Sequence, residues 1–269
     1  MPDAAPVAGA VRPLTRPVLN AASMWVVGVG AVAWIGTIVW ARTAEMDAMP
    51  GTMDMAVAAF VAMWSLMMAA MMLPSVAPLA GLYARTITER RAPRLTAFGA
   101  GYLLAWASTG AVAFWLADFF ADVASGRSST GKAVAATAFA VCGLYQLTPL
   151  KDRCLGHCRS PLTHVFRYAS FRGATRDLRA GLHHGLFCLG CCWTLMVLLV
   201  AFGVMNLVAM VGLALVIGVE KHWRHGRRFA RAVGIAALVL AVLVVLEPGL
   251  APGLDPGGTE EHDMQMEMD

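Results

Sequence analysis

Charge is what this chain has least of. Asp, Glu, Lys and Arg make up 14% of its 269 residues, against roughly a quarter in soluble domains. Hydrophobic residues make up 58%, and the mean hydropathy is +0.63. So little charge cannot clothe a soluble globule of this size, and the composition points to a membrane protein. Several motifs are missing as well. There is no Walker-type phosphate loop, no dinucleotide-binding glycine fingerprint, no hydrolase nucleophile elbow and no fixed-period repeat. The one long polar stretch, 150–180, is too short for a catalytic domain. These absences argue against an enzyme of those classes. Cysteine is too sparse for a disulfide framework, with six in a long chain, so metal or redox use is the better reading.

What the chain does have is apolar runs. They lie at about 24–41, 54–73, 95–117, 132–149, 182–202, 205–219 and 232–247, and most approach the roughly 20 residues needed to cross hydrocarbon. The fold expected is all-α, a polytopic membrane helix bundle of about seven transmembrane helices. Charge sets its orientation. With the N-terminus cytoplasmic, the inner segments hold Arg12 and Arg16, the four arginines from Arg85 to Arg94, the seven basic residues from Lys151 to Arg179 and the five from Lys221 to Arg231. That is 18 of the 21 basic residues, a strong positive-inside signal. The C-terminus is then periplasmic, and the pI of 8.9 is explained by topology with no nucleic acid needed. Residues 1–23 read as a cytoplasmic tail ahead of a retained first helix. Residues 24–247 form the bundle, with cytoplasmic loop 150–180. Residues 248–269 read as a disordered, acidic, Met-rich periplasmic tail. The location implied is a bacterial inner (plasma) membrane, crossed several times.

Soft donor atoms are the second thing the chain has. The stretch Gly181–Met196 carries His183, His184, Cys188, Cys191 and Cys192 on an otherwise apolar span. At about 100° per residue, His184, Cys188 and Cys191 share one face, with Cys192 at its edge. Polar donors in a bilayer interior point to function, and thiolate with imidazole suits Cu(I) first and Zn(II) second. One helix cannot surround an ion, so further ligands must come from neighbours. Cys154, His157 and Cys158, just inside the fourth run, can clip a soft metal at the cytoplasmic surface. On the second run Met63, Met67 and Met71 recur every fourth residue, with Met68 beside them. Thioethers are neutral Cu(I) donors, although methionine is also ordinary core filling. Pro74 and Pro78 are expected to bend or end that helix. Outside, Met46, Met49 and the tail with His262, Met264, Met266 and Met268 offer further sulfur. The adjacent Glu220 and Lys221 read as a local ion pair.

Several of these residues travel together in a known group. Trp64, Met67-Met68-Ala-Ala-Met71-Met72-Leu-Pro74, Pro78, Tyr145-Gln146, Thr148-Pro-Leu-Lys151, Cys154, Cys158, Gly185, Cys188-x-Gly-Cys-Cys-Trp193, Met205-Asn206 and Glu220-Lys221 resemble the predicted metal-binding integral membrane proteins. That group was long a domain of unknown function, and its members are often labelled copper chaperones. The likeness spans roughly residues 53–222. It implies a polytopic membrane protein tied to transition metal, with copper supplied to cuproenzymes. The basic His222-Trp-Arg-His225 departs from the Pro/Gly turn common after the Glu-Lys pair.

The expected function is that of a metal-binding carrier, chaperone or transporter in copper supply or homeostasis. Its partners are the metal ion, the lipid bilayer and a periplasmic cuproprotein or accessory protein. The alternatives are a membrane thiol–disulfide or quinone-linked oxidoreductase built on the same cysteines, and a metal-free assembly partner.

Overall fold

The structure, a computed structural model, describes residues 20–43, 52, 55–125 and 128–246. Among them are ten α-helices and no strand, so the chain is all-α, as its composition required. The seven apolar runs become helices α1 (Ala21–Thr43), α2 (Val57–Arg85), α3 (Arg91–Ala107), α4 (Gly110–Ser125), α5 (Ser128–Gln146), α8 (Arg176–Ala201), α9 (Leu207–His222) and α10 (Gly226–Leu246). The third run makes two helices because Ser108 and Thr109 interrupt it. Their hydroxyls donate to the carbonyls of Ala105 (2.8 Å) and Trp106 (2.7 Å), so side chains take over the last-turn carbonyls of α3. The segment 150–180 is largely helical too, folding as α6 (Pro149–Arg159), α7 (Pro161–Ala169) and the first turns of α8.

Five spans are long and apolar enough to cross a membrane, one of them running from α3 into α4. The number is six if α5 and α6, bent by 65° at Leu147–Thr148, count as one broken span. The architecture is compatible with a multi-pass membrane protein. α9, at 16 residues, is shorter than each of the five spans. The α5–α6 bend has a local cause. Thr148 caps α6, its Oγ1 accepting from the Lys151 amide at 3.2 Å, and Pro149 fits the first helical position, where its missing N–H costs nothing.

Two contacts fix the core. α8 lies directly on α3. A Cβ added at Gly181 would meet the Phe98 carbonyl oxygen, and one at Gly101 would meet that of Leu178, so glycine lets the two backbones touch. α2 is the buried centre of the bundle, with Phe60, Met63, Trp64, Met67, Met68, Met71 and Met72 all in the core. Pro74 and Pro78 do not end it, so of the bend or end expected from the sequence the end is corrected. The helix continues to Arg85, because surrounding helices hold it in place and can re-satisfy the freed carbonyls. The Pro74 ring itself packs against Gly30 of α1, where a Cβ would come within 3.0 Å.

Candidate metal centre

Cys188, Cys191 and Cys192 project from the middle of α8 into the protein. All three are buried, no cysteine is in a disulfide, and the three sulfurs lie within 4.8 Å of one another. The i, i+3, i+4 spacing makes this possible, since such residues share one helix face. Unable to reach solvent, the Cys191 and Cys192 thiols donate back to the Cys188 carbonyl at 3.0 and 2.9 Å. A fourth sulfur arrives from α6, where half-buried Cys158 places its Sγ 3.8 Å from that of Cys191. Three or four thiols in so small a volume are a soft donor set of the kind Cu(I) prefers and Zn(II) tolerates.

Charged residues surround the sulfurs. The Lys221 ammonium, from the end of α9, donates to Cys188 Sγ at 2.9 Å and to Ser75 Oγ of α2 at 3.1 Å. The Tyr102 hydroxyl of α3 lies 3.0 Å from the same sulfur and 3.3 Å from the Met72 carbonyl oxygen. Glu220 does not pair with Lys221, as adjacency in sequence had suggested. It accepts from Lys151 of α6 at 2.7 Å and from Gln146 of α5 at 2.9 Å. Lys151 also donates to the Cys191 carbonyl oxygen. The Lys151–Glu220 pair is fully buried, which is tolerable only because every charge has several partners. The network ties α5, α6, α8 and α9 together around the thiols. Toward the basic end, Arg94 grips Asp177 in the first turn of α8 with bonds of 3.0 Å to each carboxylate oxygen, and Tyr83 donates to the same group at 2.6 Å.

The histidines gather next to the sulfurs. His157 lies face to face between His164 of α7 (centroids 3.3 Å apart) and Phe187 of α8 (3.7 Å). The Tyr168 hydroxyl is 3.2 Å from both His157 Nε2 and His183 Nδ1. Buried His184 stacks on Tyr102 at 6.1 Å. Burial, helped by the charges of His183 and Arg167, holds the His164 imidazole below the ordinary histidine range. Burial also pushes the Tyr168 phenol well up.

The sequence-marked donors thus divide. Cys188, Cys191, Cys192 and Cys158 come together, and His157, His183 and His184 form an adjoining group. Cys154 packs against Gly190 of α8, its Sγ 3.0 Å from where a Cβ would stand. Met63, Met67, Met68 and Met71 are buried along α2. Met46, Met49, Met53 and the tail donors lie outside the described residues. Sequence reasoning missed Tyr102, His164 and Tyr168, and it marked Lys151 only as part of a family motif, without a role. A lysine beside a run of membrane character was the available signal for that role.

The fold and these thiols define an all-α protein with long apolar helices and a buried three-cysteine cluster of metal-binding type. The family described as PpoB2, copper chaperone, matches residues 61–244, and the chain belongs to that family. Most of the residues that carried the earlier resemblance, Trp64 through Lys221, fall inside this range. No curated protein and no solved structure matches the chain.

Proposed function

We propose that this protein is a bacterial inner-membrane Cu(I) carrier that supplies copper to cuproenzymes, with Cys188, Cys191, Cys192 and Cys158 as its ligands. The observation that carries this reading is the gathering of three buried sulfurs within 4.8 Å, with a fourth 3.8 Å from Cys191. Copper is cargo here. Thiolates hold Cu(I) and the low-dielectric surroundings exclude water. The Lys221 ammonium offsets excess negative charge at Cys188, so the set need not be neutralised by the ion alone. The basic residues of α6, α7 and the start of α8 support a cytoplasmic position for that end of the bundle. Copper then enters past Cys158, passes to the α8 sulfurs and leaves along the α2 methionines toward a periplasmic cuproprotein or accessory protein.

The test is Cu(I) titration of the detergent-purified chain against a competing chelator, wild type beside Cys188→Ser/Cys191→Ser/Cys192→Ser. Loss of bound copper in the triple variant is expected. Equal stoichiometry and affinity in both would refute the reading. Free thiols 3.8 Å apart also suit a thiol–disulfide oxidoreductase. Thiol trapping separates the two, because that activity requires a growth-dependent mixture of oxidised and reduced forms, whereas a copper carrier keeps its thiols uniformly reduced and shielded by metal.

A further inference from the structure

Four of the seven histidines of the chain stand within one cluster. His157 comes from α6, His164 from α7, and His183 and His184 from α8. Ring contacts link them without a break. His157 lies 3.3 Å from His164, 5.6 Å from His183 and 5.9 Å from His184, centroid to centroid. Imidazoles so close cannot all be charged, and a neutral ring keeps a lone pair free for a metal. Two of them leave a nitrogen unused. Nδ1 of His164 and Nδ1 of His184 are buried and have no hydrogen-bond partner. Buried polar atoms are normally satisfied, and desolvating one without a partner costs about 1–3 kcal/mol. His184 is itself 4% exposed. Among the described residues no carboxylate appears in the contacts of these rings to explain the cluster as an ion-pair network.

We propose that His157, His164, His183 and His184, around Tyr168, form a second cation site, made of nitrogen donors and selective for a divalent first-row ion. The donor type decides the class of ion. Imidazole is a borderline donor that suits Zn(II), Cu(II) and Ni(II), and without thiolate the site lacks the soft ligands that select Cu(I). The Tyr168 hydroxyl stands between His157 Nε2 and His183 Nδ1 at 3.2 Å from each. Among the described residues only the three α8 sulfurs have their ligand atoms within 4.8 Å of one another, so an ion must draw these rings inward and displace the Tyr168 hydroxyl. The site uses different atoms from the thiol centre, so it does not depend on the copper reading. It touches that centre at two points. His157 precedes Cys158 in the chain, and His184 stacks on Tyr102, whose hydroxyl is 3.0 Å from Cys188 Sγ.

The full chain in detergent, first given one equivalent of Cu(I), is titrated with Zn(II) against a chromophoric chelator. One further equivalent of zinc is expected. His164→Gln/His184→Gln should weaken zinc binding about tenfold or more and leave the copper equivalent in place. Absence of the zinc equivalent, or zinc affinity unchanged in the double histidine variant, overturns the proposal. If copper fails to bind while the histidine-dependent zinc remains, the thiol reading falls and this one stands. Should the histidine variant not fold, Co(II) bound to Cys188→Ser/Cys191→Ser/Cys192→Ser decides. Visible ligand-field bands without the near-ultraviolet sulfur-to-cobalt absorption support the site. No such bands, or bands with that absorption, overturn it.

Discussion

At the scale of single residues, Cys158 and Cys154 make the sharpest contrast. They sit one turn apart on α6, yet only Cys158 brings its sulfur to Cys191, while Cys154 faces Gly190. Cys158→Ser removes a ligand and should weaken Cu(I) binding by at least the ~10- to 100-fold that loss of an outer-shell partner costs, and Cys154→Ser should leave it unchanged, as read by chelator competition. The buried pair is a second case. Glu220→Gln strands the Lys151 ammonium in the interior and should cost about 3–5 kcal/mol, measured as a lower Tm in detergent. Replacing both partners by Met should recover most of that loss. The thiols were legible in the sequence because three cysteines on an apolar span are rare. The partner of Lys221 was not. Residues adjacent on a helix point about 100° apart, so Glu220 and Lys221 cannot face each other. Glu220 turns to Lys151, 69 positions away, and Lys221 turns to the sulfur of Cys188, 33 away. Nothing local in the sequence encodes either pairing.

At the scale of elements, glycine placement separates helix faces that touch a neighbour from faces that do not. On α8 a methyl group at Gly181 collides with the Phe98 carbonyl oxygen, whereas on α9 Gly212 has nothing within 4 Å. Gly181→Ala should therefore force α3 and α8 apart and lower Tm sharply. Gly212→Ala should leave Tm unchanged or raise it slightly, since alanine favours the helix by up to about 1 kcal/mol. The same comparison should show copper binding lost only in the first variant. Apolar period and length made most of the helices readable. The break at Ser108–Thr109, the persistence of α2 past two prolines and the folding of 150–180 into α6 and α7 were not readable. Each depends on neighbours. Thr109 Oγ1, for example, also accepts from the Trp64 indole of α2 at 3.0 Å, a contact that exists only once the bundle has formed.

At the scale of the whole molecule, the basic end of the bundle is also the end where α6, α7, Asp177 and the imidazoles sit. Reporter fusions should place residues 150–180 in the cytoplasm and the C-terminus in the periplasm. The reverse result would invert the proposed direction of entry without altering the ligands. The burial of the three α8 sulfurs bears on time as well as on affinity. Solvent does not reach these sulfurs directly, so an ion held there as proposed escapes to solvent only when the helices part. Handover must then be associative, with an incoming donor taking its position before an old one lets go. On the carrier reading proposed above, half-buried Cys158 is where that exchange would start. If the protein carries copper as proposed, the lifetime of its loaded form is set by how often an acceptor arrives, and dilution alone should not unload it.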